Sequence, residues 1–194
     1  MPDHWAEYNA RQATRDIRPL CRRAMDLAGS GAGRTAIDLG CGGGRETRAL
    51  LEAGWRVTAV DNEPGTQARL LRTVGGIHAA LTVRVEAFAK VKDLPPADLV
   101  YAGYSLPFTG PPSFSALWTL LRSTLRPGGR LAVNLFGVHD SWAGRPEMTF
   151  LDAAGARSLV DGLDIEYWDE EDAPGMAYSG PKHWHVFSII ACLR

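Results

Sequence analysis

Asp38-Leu39-Gly40-Cys41-Gly42-Gly43-Gly44 is a turn almost without side chains, and a carboxylate stands two residues before its first glycine. Set between an apolar run and a helix-forming stretch, such a turn lets a ligand approach the backbone closely at the carboxyl end of a strand. A pyrophosphate site asks for G-x-G-x-x-G, with the third glycine packing the helix on the strand. Here that third position is Arg45, and Asp38 would repel a pyrophosphate. The same carboxylate accepts hydrogen bonds from an ammonium group, so the expected ligand has a cationic head. Asp61, about twenty residues past the turn, is where a carboxylate accepts both hydroxyls of a ribose. Glu86, followed by Ala87-Phe88, offers an acceptor and an apolar wall to a base bearing an exocyclic amine. Each piece alone is also explained as a plain turn or a solvated strand end. The ordered series asks for a ligand with amino-acid, ribose and adenine parts.

Elements must hold these residues in place, and periodicity supplies them. Trp5 to Asp16 and Pro19 to Ala28 read as helices, interrupted by Gly29-Ser30-Gly31-Ala32-Gly33. Thr35 to Leu39 is a short strand, and a helix from Arg45 to Ala53 is stopped by Gly54. Trp55 to Val60 is the second strand, and Pro64 opens a helix to Val74 that Gly75-Gly76 ends. Leu81 to Val85 and Asp98 to Tyr101 are strands three and four. Phe114, Leu117, Trp118 and Leu121 recur at helical spacing, and Pro127-Gly128-Gly129 closes that segment before the strand Leu131 to Leu135. A helix from Leu151 to Val160 leads to Ile165 to Trp168, and the last strand is His185 to Cys192. The alternation predicts an α/β fold, Rossmann-like and doubly wound, with a seven-stranded, mostly parallel sheet. Without a helical pattern in the polar turn region Asp169 to Pro181, the last strand is expected to be antiparallel.

The chain of 194 residues, 45% hydrophobic, suits one domain. With 21 basic and 22 acidic residues it has no charge excess with which to grip nucleic acid or an anionic membrane. The opening Met1-Pro2-Asp3-His4-Trp5 shows no basic region followed by an apolar stretch, so export is not expected; no apolar run approaches the roughly 20 residues of a membrane helix, and three widely spaced cysteines suit a reducing compartment. A cytoplasmic location is expected.

The chain resembles the class I S-adenosylmethionine-dependent methyltransferases over essentially its whole length, and within them the small-molecule, tellurite-resistance-like type. Ala36 to Gly44 matches the family's first motif, Asp61 its ribose carboxylate, Glu86 its adenine-side acid, and Leu125-Arg126-Pro127-Gly128-Gly129 the turn before strand five. The resemblance implies S-adenosylmethionine as cofactor, lined by backbone at Gly40 and Gly42. It implies that Asp61 and Asn62 hold the ribose, with Glu86 and Ala87 at the adenine. It also implies one domain over 1–194: an N-terminal helical lid in 1–30, where Tyr8 and Arg15 contact the methionine carboxylate, and a core in 34–194. An amphipathic helix capping the sheet edge is the plainer account of that lead.

Methyl transfer from a sulfonium is an in-line displacement, so positioning is the main requirement and a base is needed only for acceptors such as hydroxyls. After strand four, Tyr101 to Phe108 lacks the Asn-Pro-Pro-Tyr form of amino-group methylators, which disfavours base methylation. Ala102 and Tyr104 are the residues there expected to reach the cofactor, Tyr104 as a catalytic candidate, unless Tyr104 and Phe108 only pack the loop. The longest irregular segment, Phe136 to Met148, offers His139 as a base and Trp142 as an acceptor wall. A solvated His139–Asp140 pair is the alternative. His183 and His185 share a strand face, but no third metal ligand is evident, and no metal is expected. A small-molecule methyl acceptor is the expected partner. A catalytically silent cofactor-binding module of the same fold is the other reading, and a nicotinamide oxidoreductase is disfavoured by Arg45 and Asp38.

Overall fold

Ala36, Ile37 and Leu39 are fully buried, as expected of a strand covered on both faces. Their strand, β1 (Thr35–Leu39), is an interior strand of the sheet. The computed structural model describes residues 15–194. Chain order is α1 (Pro19–Ala28), β1, α2 (Arg45–Glu52), β2 (Arg56–Asp61), α3 (Thr66–Val74), β3 (Leu81–Val85), β4 (Ala97–Ala102) and α4 (Pro111–Thr124). Then follow β5 (Leu125–Gly137), β6 (Phe150–Leu151), α5 (Ala153–Leu159), β7 (Asp164–Ala177) and β8 (Gly180–Cys192).

The strands lie in the order β3-β2-β1-β4-β5-β8-β7. Neighbours from β3 to β5 are parallel, and β8 runs antiparallel to both β5 and β7. This is the expected seven-strand sheet. The alternation of side chains sorts two cores. Ile37, Leu39, Val100, Leu131 and Ile189 pack with Phe114, Leu117, Trp118 and Leu121 of α4. On the other face Ala36, Leu99, Tyr101, Ala132 and Ile190 pack with Leu20, Cys21 and Ala24 of α1 and Leu50 and Leu51 of α2. Cys21, Cys41 and Cys192 are free and buried. Among the described residues no helix is long and apolar enough to cross a membrane.

Four local expectations change. The lead helix and Tyr8 fall largely outside the described residues, but Arg15 and Asp16 are not helical. Pro19 at the start of α1 disfavours helical backbone at Arg18, and the Arg15 carbonyl accepts from Arg45 Nε at 2.7 Å. Pro127-Gly128-Gly129 does not precede β5 but bulges within it, since Ala97 pairs with Leu125 and Leu99 with Arg130. Gly128 N–H and Gly129 C=O then bond the Leu193 backbone. The polar Asp169 to Pro181 is not a loop but most of a long hairpin, turning only between Ala177 and Gly180. Its ladder bonds come from β8, so an apolar pattern is not needed there. Finally, Leu151 leaves the expected helix and joins Phe150 in a two-residue strand paired with Phe136 and Gly137, and Asp152 caps α5 by accepting from Gly155 N–H.

Candidate functional site

The glycine turn is fastened on three sides. Gly40 and Cys41 N–H donate to the Val60 carbonyl at 2.7 and 3.2 Å, hooking the turn to the end of β2. From α3, Thr73 Oγ1 donates to the Gly43 carbonyl at 2.8 Å, and Arg69, ion-paired with Glu63, lies beside Gly42. From the segment after β4, Ser105 Oγ donates to the Leu39 carbonyl at 2.6 Å. That segment comes so close that a Cβ on Gly40, whose φ is +77°, would overlap the Ser105 Cβ. Glycine is required at this position by both space and backbone.

Asp61 closes the second side of the crevice. Its Oδ2 accepts the Gly42 N–H at 2.9 Å and its Oδ1 the Glu63 N–H at 3.0 Å, which orients the carboxylate and leaves further lone pairs on both oxygens. The Asp61 carbonyl accepts from Glu86 N–H at 3.0 Å, so the ends of β2 and β3 are tied together. Glu86 is half-buried and paired with Arg84 at 2.5 Å. Asn62 is exposed and Ala87 half-buried beside them. Ala102, expected at the ligand, is instead wholly enclosed in the core.

Beneath the turn the charge is acidic and buried. Asp38 is 1% exposed and accepts from Thr47 Oγ1 at 2.6 Å. Burial, helped by the neighbouring Glu46 carboxylate, pushes the Asp38 carboxyl up to about 7. Glu46 was not anticipated. In the first turn of α2 it receives both Arg15 guanidinium prongs, at 2.5 and 2.7 Å, and the Arg18 N–H at 3.0 Å. Burial pushes its carboxyl up, but these donors win and hold it below the usual range. Arg15, expected at a ligand carboxylate, is thus clamped on Glu46. A single acidic residue in a helix's first turn carries no sequence signal for a partner thirty residues earlier.

Tyr104 sits beyond the turn in a left-handed backbone conformation, φ +55°, with the Arg18 guanidinium 4.6 Å from its ring centre. It begins an aromatic cluster. Tyr104 meets Phe136 and Trp184 at 6.2 and 6.0 Å between ring centres, and Trp142 meets Phe108, Phe136 and Trp184 at about 6 Å. Lys182 reaches into this cluster, its ammonium 4.1 Å from the Trp142 ring and 4.2 Å from Trp184, and it is ion-paired with fully buried Asp140. Burial lowers the Lys182 pKa even against Asp140's pull. Neither Lys182 nor its pairing with Asp140 was foreseen from sequence.

His139 is elsewhere. Its Nδ1 lies 2.8 Å from Asp172 Oδ2 and its ring stacks on His185 at 4.7 Å, while Asp140 is taken by Lys182. Tyr104 touches Trp184 and His139 touches His185, adjacent positions of β8 whose side chains leave opposite faces. The two catalytic candidates are therefore not brought together. A separate surface cleft of about 330 Å³ between Phe88–Lys92 and the first turns of α4 contains none of the expected site residues.

Residues 36–129, the stretch containing the turn, Asp61, Glu86 and Tyr104, match the model of a family described as a methyltransferase domain. No curated protein matches the chain in sequence. Among solved structures, TehB from Haemophilus influenzae is 14% identical with a TM-score of 0.76, over 92% of this chain and 63% of TehB. The chain thus spans less than two thirds of that protein's length. The 1,6-didemethyltoxoflavin-N1-methyltransferase of Burkholderia thailandensis, solved with 1,6-didemethyltoxoflavin and S-adenosylhomocysteine, is 19% identical with a TM-score of 0.65, over 91% of this chain and 77% of that one. The N-methyltransferase NodS of Bradyrhizobium japonicum WM9, solved with S-adenosylhomocysteine, is 16% identical with a TM-score of 0.66, over 94% and 97%. At these identities the likeness is one of fold.

Proposed function

Because this chain has the class I S-adenosylmethionine-dependent methyltransferase fold, with a methyltransferase domain over residues 36–129, we propose that it moves the methyl group of S-adenosylmethionine to a small molecule. Asp61 receives the ribose hydroxyls, with Asn62 beside it, and Glu86 and Ala87 face the adenine once Glu86 turns from Arg84. Gly40 and Gly42 bring bare backbone to the amino-acid end, and Asp38 below them supplies the negative charge that an ammonium favours. The observation that carries this reading is the Asp61 carboxylate, each oxygen already held by one backbone amide and each still able to accept a hydroxyl.

On the acceptor side we place the aromatic cluster that starts at Tyr104. Flat apolar walls suit a small, largely unsaturated acceptor and exclude water from the in-line path. His139, on the other face of β8, has no part in the transfer, so nitrogen and sulfur acceptors, which need no dedicated base, are preferred over hydroxyls. The near balance of charge and the buried thiols suit a soluble role in a reducing compartment, the cytoplasm. The S-adenosylhomocysteine bound in both of these neighbours supports S-adenosylmethionine as the cofactor here. Incubation with methyl-labelled S-adenosylmethionine and panels of amines, thiols, hydroxyls and metalloid oxyanions tests the proposal. A labelled small product is expected. Stabilisation by S-adenosylhomocysteine with no product in any panel would instead make the chain a silent binding module.

A further inference from the structure

His139, Asp172 and His185 come from three separated segments, yet each offers a ligand atom within 4.8 Å of the others. The hairpin register explains part of this. Asp172 of β7 pairs with His185 of β8, and His183, two residues earlier, shares the His185 face. His139 arrives from the loop after β5 and stacks on His185, for which Gly137 makes room: a Cβ there would overlap the His185 ring. Within this set the contacts from side chain to side chain join imidazole nitrogens to carboxylate oxygens. His139 Nδ1 lies 2.8 Å and His183 Nε2 2.6 Å from the two oxygens of Asp172, and His185 Nε2 lies 3.1 Å from Glu170 Oε1.

We propose that His139, Asp172 and His185, with His183 at the edge, form a binding site for a divalent transition-metal ion of the zinc class. Two imidazoles and a carboxylate are ligands such an ion takes, with positions left for His183 or water. The carboxylates of Asp172 and Glu170 give the patch a negative charge that a dication offsets. The arrangement also has an orienting contact: the His139 backbone N–H donates to His185 Nδ1 at 3.1 Å, fixing that ring. His139 and Asp172 are exposed, so the ion enters from solvent, and only His185 is buried.

Occupancy would fasten the loop after β5 to the β7–β8 hairpin, on the face away from Trp184. The site therefore stands apart from the methyl-transfer reading. The test is calorimetric titration of the tag-free, chelator-stripped chain with zinc ion, and absorption spectroscopy with cobalt(II). One zinc ion per chain, a raised melting temperature and cobalt bands of a low-symmetry site are expected. The exposed substitutions Asp172→Asn and His139→Ala should each weaken binding by about tenfold or more with unchanged circular dichroism. Absence of saturable binding, or variants that bind as tightly as the unmodified chain, would overturn the proposal. Should a variant fail to fold, the cobalt spectrum of the unmodified chain decides, and the bands of hydrated cobalt alone would count against the site.

Discussion

Asp61 and Asp38 are both carboxylates at strand ends, but their surroundings give them different work. Asp61 is half-buried, with its oxygens held by the amides of Gly42 and Glu63. Asp61→Ala removes a two-pronged acceptor and should weaken S-adenosylhomocysteine binding by about 1–3 kcal/mol in calorimetry. Unchanged affinity would remove the ribose assignment. Asp38 ordinarily titrates near 3.8, and in the folded chain burial raises it to about 7. Between those values the folded state keeps a proton that the unfolded chain has released. The group's stabilising contribution is therefore complete below about pH 4 and lost as pH rises to about 7. Asp38→Asn should then raise the melting temperature at pH 8, an effect on the order of a few kcal/mol. A cationic ligand has the opposite preference and draws Asp38 into its charged form. Binding of S-adenosylmethionine should tighten from about pH 6 to pH 8 and release a proton at the lower end, read as a buffer-dependent calorimetric enthalpy. Identical enthalpies across buffers near pH 6.5 would contradict this.

At the scale of elements, the glycine turn works because the segment after β4 presses against it. Gly40→Ala meets the Ser105 side chain and a backbone angle that L-residues avoid, so the cost should be about 2 kcal/mol or more. For a chain this size that is a melting temperature lower by about 5 °C, with cofactor affinity falling alongside. A fully stable Gly40→Ala chain with native affinity would mean the turn is not gripped as described. The turn and the strands β1, β2 and β4 were legible in the sequence because buried parallel strands are written as apolar runs with glycine or proline between them, and the edge strand β3 because its apolar residues alternate with polar ones. The β7 arm was not, since Glu170, Glu171 and Asp172 give a solvated strand the same composition as a loop. Nor was the Pro127-Gly128-Gly129 bulge, whose residues ordinarily signal a stop. The pairing of Glu46 with Arg15, the burial of Lys182 among tryptophans and the gathering of Asp172 and His139 beside His183 and His185 all depend on contacts distant in sequence. Only the assembled sheet brings them within reach.

Viewed whole, the molecule uses the sheet to keep two kinds of chemistry apart. The crevice of Asp38, Asp61 and Glu86 and the aromatic wall from Tyr104 to Trp184 are gathered around the carboxyl ends of the parallel strands, the usual ligand position of a doubly wound fold. The imidazoles of His139, His183 and His185 gather on the opposite face of β8, two from the antiparallel hairpin and one from the loop after β5. The central claim is that the crevice takes a sulfonium nucleoside with an amino-acid tail and not a dinucleotide. Calorimetry of one protein preparation against S-adenosylhomocysteine and against NAD tests it most directly. One saturable site for S-adenosylhomocysteine with no heat from NAD is the predicted result. Binding of NAD, or silence toward both S-adenosylhomocysteine and S-adenosylmethionine at millimolar concentrations, would contradict the account.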